Sequence, residues 1–217
     1  MRSELPIERD ADSARPPAAG SRSFIEAARR EQLIAAATVT VNEIGYHRAS
    51  LAEIAGRAGI AKSAVAYYFS SKEGLLLELV QTVFEALGER VLRAVDGVEE
   101  PAARLRGYAE AYLAHVDAER EALAAAVEIV VSHRTADGTP LYLVADEDDA
   151  ALVRSILRAG MADGAFQPMP LDVATGLVES VLDRAITLVQ RDPGADLGPL
   201  RAHAVPFLFR ALGAADG

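Results

Sequence analysis

The chain contains no cysteine, which removes disulfides, thiolate metal sites and cysteine nucleophiles together. Long apolar runs are also missing: no stretch approaches the ~18 uninterrupted apolar residues that a membrane span needs. The opening MRSELPIERDADSARPPAAGSR holds no apolar core of the kind a signal peptide requires. A soluble, cytoplasmic protein without a membrane partner is therefore expected. No run of alternating β-branched residues points to a sheet, and no internal repeat is present. The signatures of common catalytic sites are absent too: there is no His-Glu-x-x-His, no phosphate-cradling glycine loop and no Gly-x-Ser-x-Gly. Ser132, His133 and Asp137 are the residue types of a catalytic triad, but neighbours at one helix end do not build its geometry.

Lysine is scarce. Of 22 basic residues only Lys62 and Lys72 are lysines, and both fall in one short window. Of the 217 residues 51% are hydrophobic and 25% charged, an ordinary globular balance. The net charge of −10 argues at first against a polyanionic partner, but its distribution matters more. Residues 1–75 carry ten Arg or Lys against nine Asp or Glu, whereas residues 76–217 carry twelve against twenty-three. The acidity therefore lies in the C-terminal two-thirds.

Residues 1–22, rich in Pro, Ala, Ser and charge, read as a mobile arm. From Ser23 a helical period sets in through Phe24, Ala27, Ala28, Leu33, Ile34, Ala37, Val41 and Ile44, and Gly45 is a natural stop. Ser50-Leu51-Ala52-Glu53 has the form of a capping box, opening a short helix that ends near Ala58. Gly59 breaks it, and a second short helix spans Lys62 to about Phe69. Ser70-Ser71-Lys72-Glu73 is a second capping box, opening a long helix through Leu76, Leu79, Val80, Val83, Phe84 and Leu87. Further helices are expected over 89–95, 101–116, 118–133, 146–161, 171–190 and 200–212. Asp96-Gly97, Asp137-Gly138, Asp163-Gly164 and Pro193-Gly194 lie between them. The run Asp146-Glu147-Asp148-Asp149 reads as an acidic first turn, favourable to the helix dipole.

The informative segment is Ser50 to Lys72. Two short helices joined by a glycine turn make a helix-turn-helix. Ile54, Ala55, Ala58, Ile60 and Val65 would form its core. The outer side of the second helix would then present Lys62, Ser63, Ala64, Tyr67 and Tyr68, a basic end with polar-aromatic tips suited to a major groove. Lys72 stands at a helix N-terminus, where its charge opposes the macrodipole, and a phosphate partner would account for it. Phe69 reads as core, and Arg48 reads equally as a phosphate contact or a solvated charge.

The run from Ala58 to Leu75, AGIAKSAVAYYFSSKEGL, resembles the recognition-helix signature of tetracycline-repressor-type (TetR) regulators. Ser50-Leu51-Ala52-Glu53-Ile54-Ala55 and Gly45-Tyr46 match as well, and the resemblance covers about residues 23–85. It implies an all-α fold: a three-helix DNA-binding domain at 23–85, with the motif at about 50–69, and a larger domain at 86–213 for ligand binding and dimerisation. It also implies a ligand-responsive regulator, more a repressor than an activator, that binds a palindromic operator in double-stranded DNA as a homodimer. A small-molecule inducer would release it. By position, Ser50 looks like a cap within reach of a phosphate, and Lys62, Ser63 and Ala64 occupy base-facing places. Tyr67 falls at an aromatic that touches bases or backbone, and Tyr68 and Lys72 fall at phosphate-contacting places. Three residues depart from the pattern: Ala61 replaces the usual Ser cap, Ala66 a common Tyr, and Tyr68 a frequent His.

Two rival readings remain, a helical enzyme and an adaptor whose motif binds protein. No cofactor or metal is expected. Glu110 with His115, and Glu128 with His133, are spaced i,i+5, which sets the side chains roughly 140° apart on a helix; a carboxylate-bridged metal bundle needs Glu-x-x-His. The four histidines (47, 115, 133, 203) read as unconnected. For the ligand, Tyr108, Tyr112, His115 and Glu128 stand among Leu113, Val127, Val130 and Val131, an apolar surround with a few polar anchors. The acidity of this half favours a neutral or cationic, largely apolar molecule. For dimerisation, Val173, Leu177, Val181, Ile186 and Val189 are expected on one side of a helix, joined by Val205, Phe207, Leu208 and Leu212 of the next.

Overall fold

Serine and glycine set the ends of the N-terminal helices in the computed structural model, which describes residues 19–144 and 150–214. Helix α1 (Ala19–Ile44) stops where Gly45 takes a φ of +79°. Helix α2 (Leu51–Ala58) starts under Ser50, whose Oγ accepts from the Glu53 N–H at 3.2 Å. It ends in a Schellman turn: Gly59 has a φ of +65°, its N–H reaches the Gly56 carbonyl at 3.2 Å, and the Ile60 N–H reaches that of Ala55 at 3.0 Å. That left-handed residue is inexpensive only for glycine. It turns the chain sharply into α3 (Lys62–Tyr68).

Helix α4 (Lys72–Val95) departs from expectation at two places. Its cap is Ser71, not Ser70: the Ser71 Oγ accepts from the Gly74 N–H at 3.0 Å. Ser71 itself is still extended, with φ −149° and ψ 166°, so a cap at Ser70 would sit one residue too early to reach a free N–H. Nor does the helix break at Gly88. Leu75, Leu79, Val83, Leu87, Val91 and Val95 bury one unbroken i,i+4 stripe, which outweighs the ~1 kcal/mol that a mid-helix glycine costs. One rod thus carries the chain out of the N-terminal unit into the larger half.

The rest comprises α5 (Pro101–Ala118), α6 (Arg120–Ser132), a 3₁₀ turn at Leu141–Leu143 that the sequence reading lacked, α7 (Ala151–Ala162), α8 (Leu171–Arg191) and α9 (Gly198–Ala211). No β-strand occurs among the described residues, so the fold is all-α. The arm expected over 1–22 lies outside the described residues as far as 18, and α1 takes in the remainder. The acidic turn at 146–149 also lies outside them, and α7 begins at Ala151. Within the larger half, Gly160 lets the buried Phe166 ring lie directly on its backbone, where any Cβ would overlap the ring.

The face expected for pairing is split. Ile186, Val189, Val205, Leu208 and Leu212 are buried in the chain's own core. Val173 and Leu177 at 51% exposure and Phe207 at 52% remain outside, with Val181 half-buried between them. The sequence reading merged the two sides of each helix because both are apolar.

Candidate nucleic-acid interface

Helix α3 has one buried side and one open side. Val65 and Phe69 are buried together with Ile54 and Ala55 of α2, while Ala58 and Ile60 pack at the rim of this core. Lys62, Ser63, Ala66 and Tyr67 face solvent, and Ala64 and Tyr68 are half-buried. Tyr67 is 77% exposed and stands edge-on to Tyr68, ring centroids 5.0 Å apart. Apart from that edge contact the Tyr67 ring is open to a partner. Ala61, the residue before the helix, makes no side-chain cap, so the α3 N-terminus stays open beside Lys62.

Three side chains of α1 and α4 hold α3, the end of α2 and the turn before α2. The Arg30 guanidinium lies 4.6 Å above the Phe69 ring, donates to the Tyr68 carbonyl at 2.9 Å, and pairs with Glu78 of α4. It therefore closes the C-terminal end of α3, where free carbonyls attract a cation. Gln32 donates to the Ala58 carbonyl at 2.8 Å. Lys72, expected at an open phosphate site, is half-buried: its Nζ donates to the Tyr46 carbonyl at 2.6 Å and lies 4.5 Å over the Tyr46 ring. Burial lowers its pKa, with Glu73 pulling the other way. The Ser50 hydroxyl oxygen accepts in the α2 cap, a role that does not use its O–H donor. Arg48 is exposed and donates to the Ile44 carbonyl at 2.7 Å.

The comparisons with known proteins agree with this geometry. Residues 33–79 match the family model described as bacterial regulatory proteins, tetR family. Over this segment the chain is of the TetR type. The HTH-type transcriptional regulator BetI of Yersinia pestis (strain Pestoides F) is 45% identical over 84 residues, 38% of this chain and 42% of that protein. HbdR of Aromatoleum sp. (strain CIB) is 30% identical over 141 residues, 65% of this chain and 61% of that one. The chain thus matches under half the length of the BetI relatives. Among solved structures, the fatty acid degradation regulator FadR of Bacillus halodurans superposes with a TM-score of 0.74 at 23% identity, over 86% of this chain and 97% of that one. FadR of Bacillus subtilis, solved with stearoyl-CoA, gives 0.66 at 20% identity over 82% and 96%. At those identities the likeness speaks for the TetR fold alone.

Beyond the matched segment, the four residues expected at a ligand site separate into three places. Tyr108 and Tyr112 lie together on α5, ring centroids 6.4 Å apart, and the Tyr112 hydroxyl donates to Asp183 of α8. Burial, with the charges of Glu179 and Asp183, pushes Tyr108 up to about 12; burial and Asp183 raise Tyr112 further. Desolvation of its carboxyl beside Tyr112 also raises Asp183, against the Tyr112 bond that lowers it, although the residue as a whole is exposed. His115 lies near Arg90 and Arg93 of α4 and is lowered first by burial. Glu128 turns instead toward the loop before α2: its Oε1 accepts from the Ser132 hydroxyl at 3.3 Å and lies 3.5 Å from the Tyr46 N–H. The sequence reading missed Asp183 and Arg30, and it named Tyr46 only within the Gly45-Tyr46 match, without a role. Each works with a partner distant along the chain, which no local spacing reveals. Among the described residues no helix is long and apolar enough to cross a membrane.

Proposed function

We propose that this chain is a ligand-responsive transcriptional repressor of the cytoplasm that binds a palindromic DNA operator as a homodimer and leaves it when a small molecule binds. The observation that carries the DNA reading is the open side of α3, where Lys62, Ser63 and Tyr67 stand exposed beside an uncapped N-terminus. Lys62, Ser63 and Ala64 lie at base edges in the major groove, with Tyr67 alongside. Tyr68, Ser50 and Lys72 serve the phosphates. An ammonium has three donors, so the bond from Lys72 to Tyr46 leaves two for a phosphate at the α4 N-terminus. The enzyme reading falls away, because the family consists of transcription regulators.

Pairing uses Val173, Leu177, Val181 and Phe207, the apolar side chains of α8 and α9 that the single chain leaves open. The ligand site is the Tyr108–Tyr112 pair with Asp183. Two aromatic faces beside a carboxylate suit a neutral or cationic, largely apolar molecule. An acyl-CoA, such as the stearoyl-CoA held by the Bacillus subtilis regulator, carries phosphates that a site with Asp183 and Glu179 repels. A small molecule that binds one arrangement of the dimer better than the other shifts the spacing of the two α3 helices off the operator.

Selection of duplexes from a random pool by the full-length protein at low salt tests the reading. It should enrich a two-fold symmetric sequence. An adaptor or an enzyme on this fold would enrich nothing and would pass through heparin unretained.

A further inference from the structure

We propose that His133, at the end of α6, is a positioning residue for DNA binding that acts through Tyr46. The inference rests on the DNA-binding reading above but concerns a residue that does not face the DNA. Tyr46 is buried in the turn between α1 and α2, directly after Gly45. Its hydroxyl meets the Nδ1 of His133 at 2.7 Å, inside the protein. A phenol hydroxyl both donates and accepts, so the bond survives either imidazole tautomer. The other end of Tyr46 is held from α4: its carbonyl accepts from Lys72, and its ring lies under the same ammonium. One residue of the DNA-binding unit is therefore gripped by the larger half at its tip and, more loosely, at its N–H by Glu128 at 3.5 Å, and by α4 at its carbonyl and face.

His133 itself is fixed. Its N–H closes α6 on the Ile129 carbonyl at 2.7 Å, and its own carbonyl accepts from the Leu141 N–H at 3.0 Å. The backbone that carries the imidazole is thus held on both sides, and the side chain itself is buried. From Tyr46 the chain runs directly into α2, and the tight turn at Gly59 ties α2 rigidly to α3, so a shift of the Tyr46 ring moves the reading helix. Asn42 gives a second link between α1 and α6, to the Glu121 carbonyl at 2.9 Å. That link reaches a backbone atom from an exposed side chain and does not constrain the turn before α2. A buried polar bond is replaceable by an apolar pair at little cost in stability. Its distinctive contribution is a single fixed distance between two parts of the fold.

The test uses the full-length chain and three variants: Tyr46→Phe, which removes one oxygen and keeps the ring under Lys72, His133→Phe, and His133→Gln, which keeps polar atoms near the hydroxyl. Hydrogen exchange reports the pose of the motif without DNA. Affinity for the duplex enriched by the wild-type protein, against a scrambled duplex, reports its use. Both Phe variants should speed exchange over 45–50 and 61–69 by about five- to tenfold, the loss expected of one buried hydrogen bond, and leave 101–118 unchanged. Affinity for the enriched duplex should fall by about as much, that for the scrambled one far less, and His133→Gln should recover most of both. The double Phe variant should lose no more than either single one, since all remove the same bond and the double leaves no polar partner unpaired. Unchanged exchange over 61–69 in a folded Phe variant, or effects that add in the double variant, would overturn the proposal. A wild-type chain that enriches no duplex would defeat the DNA-binding reading, while the exchange data would still decide whether His133 sets the pose of α2 and α3.

Discussion

The guanidinium of Arg30 on α1 sits 4.6 Å above the ring of Phe69, the residue that ends the proposed reading helix. With its bond to the Tyr68 carbonyl and its pair with Glu78, it joins three helices at one side chain. Arg30→Met keeps the apolar stem over Phe69 and removes the cap and the pair. Part of the group is open to water, which weakens the ion pair, so the cost should be about 1–2 kcal/mol. Chemical denaturation reads it, and a change under ~0.3 kcal/mol, within the scatter of surface substitutions, would deny the cap.

Lys72 has two roles, a brace on Tyr46 in the structure and a phosphate contact in the proposal. Lys72→Ala should lower the melting temperature, since the Tyr46 carbonyl loses its donor. It should also weaken binding to enriched and scrambled duplexes alike and reduce the log–log salt slope by about one unit per subunit. A lower melting temperature with an unchanged salt slope would leave only the brace.

Asp183 carries a pH prediction. Its folded pKa is raised by burial, so the folded chain holds its proton to higher pH than the unfolded chain does. Stability from this group is present below the ordinary carboxylate range, ~3.9, and is lost as pH rises through the raised value. Asp183→Asn removes that loss and still offers an oxygen to the Tyr112 hydroxyl. The variant should melt higher than the wild type at pH 7, the gap closing near pH 4. A gap independent of pH would place the effect elsewhere.

The split of α8 and α9 separates assembly from stability. Leu177→Arg or Phe207→Arg should give a folded monomer by light scattering at micromolar concentration, where the wild type should be a dimer. Ile186→Val, in the chain's own core, should cost about 0.5–1.5 kcal/mol and leave the dimer intact. Dissociation by Ile186→Val, with Leu177→Arg still dimeric, would reverse the assignment.

The helix ends and the open face of α3 were legible because short-range chemistry writes them: Ser50 before an acidic third residue, and Gly45 and Gly59 where φ must be positive. The errors arose where two local answers were equally good or where the deciding partner was remote. Ser70 and Ser71 are both capping residues, and only the backbone path distinguishes them. Gly88 looks like a stop until the buried stripe from Leu75 to Val95 is seen. Glu128 and His133 invited a ligand or no role at all, because Tyr46 lies 82 and 87 positions away. Apolar residues on α8 and α9 say that they are to be buried, but not whether by their own chain or by a second one.

The proposed function requires that α3 read DNA through Lys62. A salt titration of Lys62→Ala against the enriched and the scrambled duplex separates base reading from phosphate contact. Lys62 is exposed, so the variant should fold as the wild type does. A loss of about 1–3 kcal/mol per half-site is expected on the enriched duplex, with relaxed discrimination at one base pair and little change on the scrambled one. Equal loss on both duplexes would make Lys62 a phosphate contact, and no loss on either would place the reading surface elsewhere; each result contradicts base reading by Lys62.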